Sequence, residues 1–396
     1  MHHFTLGVLA CLLLGIACGP AAAPAPGGSG GASAGGGASA AAPSAPAGGA
    51  GAAAAPAAGA SAPASDAAYR QQVIDAARAE GEVNATLHTS WTPEGIQRLE
   101  DAIEREYGVR IKVNYQPIIN YVQRASELLG EAQGNVTPSF DLYQSSDTTA
   151  ATLFRAGAHE EVNWAPLLPQ GTPARAIGAG GRYVVVYTDH SGLMSDPTVI
   201  PDAEVPRSIK DLANPKWRGK VVLFVSTNVY MPYVIRLGRE ETLAALRAAV
   251  QNGAITDTYP GMLTRFAAKE YPMATIGVTF ARLAEARGLP VRFTPLDFSV
   301  NTDHLVLVAR RAAHPNAAKL LAAVLAGPEG QKIEEDVIGV SNRYYPGTRE
   351  AKLEEDALAA GFPSFAWSDS PEAIEFVLSP EGEAIVREMG QIIQGG

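Results

Sequence analysis

The chain has 396 residues, with 41 acidic and 31 basic side chains and a net charge of −10. Such an acidic chain lacks the basic face that nucleic acid or an anionic lipid surface requires. All of this charge lies beyond residue 65, because residues 1–65 contain no Asp, Glu, Lys or Arg.

From Leu6 to Ala17 the N-terminus is almost without polarity over 12 residues. A bilayer-spanning helix needs about 20, and the small residues ending the run fit a secretory signal, residues 1–17. The two cysteines, Cys11 and Cys18, both fall in this leader. The body beyond it therefore holds no disulfide and must be stabilised by core burial. Residues 18–65 are nearly all Ala, Gly, Pro and Ser. They offer few large apolar side chains to offset the entropy of ordering and are expected to form a structureless tether. Its reach is roughly 40 Å at about 5–6 Å × √n.

Residues 67–80 predict a helix, and residues 83–88 alternate as a strand. Thr92-Pro93-Glu94 starts the next helix, with Thr92 as N-cap, Pro93 in the first turn and Glu94 at the positive end. Gly108 ends it. A second strand is expected from Val109 to Tyr115, a helix from Ile118 to Ala132, a short strand from Phe140 to Tyr143, and a helix from Asp147 to about Gly157. Tyr183–Thr188 is strongly β-prone. A second alternating set follows, with strands at Lys220–Val225, Ala274–Val278, Val291–Leu296 and Leu305–Ala309 and helices between them. From Pro315 the chain reads as mostly helical, apart from a loop at Asn342–Thr348. About 330 residues with two β-α sets imply an α/β fold of two lobes. In such sheets, ligands bind at the carboxyl ends of the strands, where helix N-termini point.

Three stretches carry a family resemblance. Val73-Ile74-Asp75-Ala76-Ala77-Arg78-Ala79-Glu80-Gly81-Glu82-Val83 resembles the opening of the iron(III)- and organic-solute-type extracellular solute-binding proteins of ABC importers. Asp211-Leu212-Ala213-Asn214-Pro215-Lys216-Trp217-Arg218-Gly219-Lys220-Val221 resembles their turn into the second lobe. His314-Pro315-Asn316-Ala317-Ala318-Lys319, followed by Gly327-Pro328-Glu329-Gly330-Gln331, resembles their late helix pair. Gly15-Ile16-Ala17-Cys18 is similar to a bacterial lipobox, with Gly15 where leucine is usual and no basic residue before the apolar run.

The resemblance implies a type II periplasmic-binding-protein fold with hinge crossovers and an interlobe cleft. Residues 66–188 would form the first part of lobe 1, residues 189–301 lobe 2, and residues 302–396 the return to lobe 1 with the C-terminal helices. Tyr183–Thr188 and Thr302–Ala309 would be the crossovers. The implied partners are a small-molecule solute, an ABC permease, and the membrane through a lipid on Cys18, with the protein acting as a monomer outside the cytoplasm. Iron-binding members place adjacent tyrosines at a second-lobe junction. Here that place reads Gly277-Val278-Thr279-Phe280, and the Tyr344-Tyr345 pair comes much later. The departure points to an organic or oxyanion solute, with no metal and no cofactor. A metal receptor, or a sensor or enzyme on this fold, are the alternatives.

Candidate ligand-binding residues follow from the junctions. Ser90 and Trp91 end the first strand, offering a hydroxyl and a ring, or simply a turn and surface packing. Ser145, Ser146 and Asp147 start a helix whose N–H groups suit an anion or merely need a cap. Ser226, Thr227 and Asn228 occupy the equivalent second-lobe junction, with Tyr230 one turn on and Thr279 at the next. Arg343 and Tyr344 either close over a solute at the hinge or form an exposed loop. Asp303 and His304 lie near a crossover, where His304 reads as a satisfied interior histidine. His88 alternates with core residues and is placed toward the sheet edge. There is no GxSxG, HExxH, P-loop or GxGxxG context, and His88, His159, His190, His304 and His314 show no metal-ligand spacing.

Overall fold

One mixed sheet runs through the body in the order β2-β1-β3-β10-β5-β8-β6-β7, with β11 paired to β10 and β4 and β9 paired to β5. The strands are β1 (Glu82–His88), β2 (Lys112–Ile118), β3 (Leu142–Ser146), β4 (Ile177–Gly178), β5 (Tyr183–Ser195), β6 (Val221–Phe224), β7 (Ile255–Asp257), β8 (Met273–Gly277), β9 (Arg292–Thr294), β10 (Ser299–Val308) and β11 (Ser364–Ala366). The structure is a computed structural model describing residues 66–118, 120–178 and 180–395. The expected signal, the tether and Cys18 lie outside the described residues.

β5 and β10 join two cores. β5 gives Val184 and Val186 to a cluster with Val83, Leu99, Ile103 and Leu320, and gives Leu193 to a second cluster with Leu212, Leu223, Leu246 and Met273. β10 gives Val306 to the first cluster and Val300 to the second. The two strands are antiparallel neighbours, and both are longer than the expected crossovers. Their register carries β10 past β3 on one side and β5 past β8 on the other.

Local signals explain the helices that hold this frame. Thr92 Oγ1 accepts from the Gly95 N–H at 3.1 Å, and Gly108 takes φ 65°, which a glycine adopts without a Cβ penalty. The stripe Ile96, Leu99, Ile103 and Tyr107 between these caps is buried, at about 1.5–3 kcal/mol per fully buried large apolar side chain. The Pro315–Ala326 helix is buried at every position from Ala317 to Ala326, because it crosses behind β1, β5 and β10.

Several expected boundaries move. The second strand begins at Lys112, because its register with β1 starts at the Glu82–Lys112 pair; Val109 and Ile111 are buried in the approach to it. The third strand runs to Ser146, so Gln144 and Ser145 belong to the sheet. The next helix after β2 starts at Tyr121, capped by Asn120. β7, β11 and the Tyr259–Ala267 helix have no counterpart among the expected elements. β7 and β11 are each three residues long, too short for alternation to be read. Phe365, Trp367, Ile385, Met389 and Ile393 pack into the second core, so the C-terminal helices fold against it.

Candidate functional site

β1, β2 and β3 are parallel to one another, and so are β6, β7 and β8. The two sets meet end-on at the crossovers. Ser146, the last residue of β3, pairs with His304 of β10, and Gly277, the last residue of β8, pairs with Ser191 of β5. Across the crossovers His304 faces Tyr187 and Asn301 faces His190. The carboxyl ends of both sets thus open onto one short segment of β5 and β10, as the strand-end rule requires.

Period-two alternation sorts the side chains there into two groups. Gln144, Ser146, Tyr187 and His304 share one face. The Tyr187 and His304 rings stack 4.3 Å apart, Tyr121 lies 5.4 Å from His304, and the Tyr121 and Tyr187 hydroxyls are 3.4 Å apart. Gln144 Oε1 accepts from the His88 N–H at 2.7 Å, and the Tyr115 hydroxyl donates to the His88 carbonyl at 2.9 Å. Burial lowers His88 to a pKa of about 4. Burial, and then the neighbouring His88, lowers His304 to about 3. Both imidazoles are therefore neutral at pH 7.

Asp189 continues this face along β5. Its Oδ1 accepts from both the N–H and the hydroxyl of Thr279, each at 3.0 Å, at the start of the Val278–Ala286 helix. A Cβ on Gly277 would lie 2.2 Å from Asp189 Oδ2, so only glycine lets the carboxylate approach this closely. Burial raises Asp189 to a pKa of about 6, against the lowering effect of the Thr279 bonds. Glu334, 1% exposed, lies nearby and is raised well above the carboxylate range by burial. Burial first, and the charges of Asp189 and Glu334 among smaller causes, hold the Tyr121 and Tyr187 phenols above their ordinary range. Val278 packs into the first core although its helix follows β8, which brings the second half against the first. Arg349 and Glu285 add an ion pair there at 2.8 Å.

The opposite face carries a buried charge cluster. Asp303 accepts from the Thr188 hydroxyl at 2.8 Å, the Tyr344 hydroxyl at 2.7 Å and Arg343 Nε at 3.4 Å. Arg343 also reaches both oxygens of Glu354 at 3.2 Å. Asp147 Oδ2 accepts from the Asp303 N–H at 3.2 Å. Burial, and next the charge of Asp303, raises the Asp147 carboxyl well above its usual range.

The model of the bacterial extracellular solute-binding protein family matches residues 94–336. The chain belongs to this family. Solved structures place the fold of this solute-binding protein more closely. It is 18% identical to iron-bound HitA from Pseudomonas aeruginosa, with a TM-score of 0.59, over 78% of this chain and 99% of that one. Ferric iron-binding protein A of Mannheimia haemolytica, in an open conformation, is 13% identical with a TM-score of 0.58, over 80% and 99% of the two chains. The substrate-binding protein of an ABC transporter from Agrobacterium tumefaciens is 12% identical with a TM-score of 0.64, over 79% and 94%. At these identities the likeness establishes the fold, a two-lobed type II periplasmic-binding-protein architecture. Among the described residues no helix is long and apolar enough to cross a membrane.

The binding protein's expected site residues divide by location. Ser90 is half-buried, with its N–H on His88 Nδ1 at 3.2 Å, and Ser146 shares the His304 face. Thr279 holds Asp189. These three border the aromatic and carboxylate group. Ser226 is half-exposed and Asn228 exposed at the end of β6, and Thr227 turns its methyl toward Gly390 of the C-terminal helix.

The others have structural surroundings. Trp91 is 4% exposed within the first core, since the chain folds inward to start the Pro93–Tyr107 helix. Tyr230 is 2% exposed, its hydroxyl 2.8 Å from Thr275 Oγ1 and donating to the Phe224 carbonyl at 3.2 Å. Ser145 and Asp147 point to the Asp303 face, and Arg343 and Tyr344 are locked into the cluster there instead of forming an open loop. His88 lies on a strand flanked by β2 and β3, not at the sheet edge. His304 Nδ1 is buried without a hydrogen-bond partner, so it is not a satisfied histidine. Tyr121, Gln144, Tyr187, Asp189 and Glu334 were not among the sequence candidates. The available signal was a run of polar and aromatic side chains continuing an otherwise apolar crossover strand.

Proposed function

We propose that this solute-binding protein captures a small organic solute between its lobes and delivers it to an ABC permease, held near the membrane by a lipid on Cys18. The observation that carries the organic reading is the filling of the anion positions. Asp189 and Asp257 lie at the starts of two helices that follow sheet strands. Helix N-termini are the natural oxyanion sites of such folds, and a carboxylate already there opposes a second anion. The half-exposed Ser90 and Ser146 hydroxyls and the partly exposed Tyr121 and His304 rings leave polar and aromatic contacts for an organic molecule. Lobe 1 is taken as residues 66–188 with the return from residue 302, and lobe 2 as residues 189–301, with the C-terminal helices packed against the second core.

A thermal-shift screen of oxyanions, carboxylates, amines, sugars and ferric citrate tests the receptor reading. A solute that binds only the folded state raises the melting temperature as its concentration passes its dissociation constant. Failure of every class to shift the melt sinks the reading. Mass spectrometry of the mature N-terminus tests the anchor, and an unmodified residue after the cleavage site removes it.

Ferric iron is the second reading. It is favoured by the two adjacent phenols, Tyr121 and Tyr187, beside His88 and His304, and by the likeness to iron-binding proteins. A visible tyrosinate band on adding ferric citrate, lost in Tyr187→Phe, would establish it in place of the organic reading.

A further inference from the structure

Resting on the organic-solute reading above, we propose that Asp189 is the specificity-determining carboxylate of this cleft, and that the solute carries a protonated or quaternary nitrogen.

Three observations support this. The first is the carboxylate's lack of a cationic partner. Thr279 occupies Oδ1 twice, and the backbone of Val278 and His190 also acts on the carboxylate, but these are neutral groups. No Arg or Lys forms an ion pair with Asp189 among the described residues, although 23 pairs between other acidic and Lys or Arg side chains fall within 4 Å there, Asp257–Arg265 among them. Asp189 is not exposed enough for water alone to explain this: it is half-buried where the two lobes meet.

The second is the sign of the surroundings. Glu334 is buried nearby, is held above the carboxylate range, and has no Lys or Arg paired with it among the described residues. His88 and His304 are neutral. A bound anion would meet this group with no cation to receive it, whereas a cation would complete it.

The third is the ring arrangement. Tyr121, Tyr187 and His304 lie together beside the carboxylate, and Phe280 follows Thr279 with its ring 3.5 Å from that of Tyr259. Aromatic faces beside a carboxylate attract ammonium groups by their quadrupoles as well as by burial.

A purely capping role explains less. A local cap would come from Gly277, which has no side chain to offer; Asp189 instead reaches the helix from 90 residues earlier in sequence. Capping needs one acceptor oxygen but no net charge, so Asp189→Asn separates the two roles: it keeps an oxygen for Thr279 and removes the charge.

The test uses the full-length protein and Asp189→Asn, with melting of both measured without ligand as the folding control. The probes are 1,4-diaminobutane, spermidine and choline, set against sulfate, phosphate, citrate, glucose and ferric citrate. At least one ammonium probe is expected to raise the melting temperature, with affinity falling tenfold or more in Asp189→Asn. If only an oxyanion, glucose or ferric citrate binds, or if ammonium affinity is unchanged in Asp189→Asn, the inference fails while the receptor reading stands. If no probe binds, both fail. The comparison of ammonium with oxyanion probes on the unsubstituted protein decides the point even if Asp189→Asn does not fold.

Discussion

Arg343, in the turn before the Arg349–Ala359 helix, meets Asp303 of β10 at 3.4 Å, with 5% and 1% of their side chains exposed. Arg343 holds Glu354 with the same guanidinium, so removing it leaves two carboxylates without their cation. Arg343→Met is expected to destabilise the fold by about 3–5 kcal/mol, measured by urea unfolding. Restoring most of the loss by adding Asp303→Asn and Glu354→Gln would tie the effect to unpaired charge and not to lost packing.

Glu350 titrates against its burial. Its Oε2 accepts from the N–H and hydroxyl of Ser341, while Oε1 is buried without a partner, and burial pushes its pKa from 4.5 up to about 7. A carboxyl whose folded value lies above its unfolded value holds its proton more tightly when folded. Its contribution is therefore most favourable below pH 4.5, and is lost as pH rises from there through about 7. Glu350→Gln keeps the Ser341 acceptor and removes that loss. The variant should match the parent near pH 4.5 and exceed it by a few kcal/mol at most at pH 8, read from denaturant unfolding across that range.

His304 has the opposite slope. Its folded value of about 3 lies below its unfolded value of 6.5, so the unfolded chain takes the proton first. The stability this neutral ring allows is present above pH 6.5 and lost as pH falls toward about 3. His304→Phe retains a ring against Tyr187 and should shift the acid-unfolding midpoint to lower pH, followed by circular dichroism. An unchanged midpoint would show that the ring is not buried neutral.

Gly277 is constrained by contact and not by a turn. Gly277→Ala would set a methyl 2.2 Å from Asp189 Oδ2 and push the carboxylate off the Val278–Ala286 helix. Thermal melting should show a loss of about 1–3 kcal/mol, the usual cost of overpacking. Weakened binding of whatever solute the screen identifies should accompany it. By contrast Tyr230→Phe, which loses only bonds to Thr275 and Phe224, should cost about 1 kcal/mol and leave solute affinity unchanged in calorimetric titration.

Local signals in the sequence mark most of the longer elements and their order. Thr92, Pro93 and Gly108 mark a helix through local capping, and the Ile96–Tyr107 stripe names its buried face, because these signals act within a few residues. The two β-α sets, their strand-end junctions and the family motifs likewise lie in contiguous stretches. Which side chain meets which follows from strand pairing across the fold. Asp189 follows the β-prone run Tyr183–Thr188 and reaches Thr279, 90 residues on, because β5 and β8 pair. Ser145 and Ser146 look equivalent in sequence, yet one residue of strand turns them to opposite faces, since period two reverses direction at every step. Arg343 and Tyr344 resemble a surface loop until β10 places Asp303 beneath them. Junction positions are local, whereas the chemistry at a junction depends on strand register and on contacts between residues far apart in the chain.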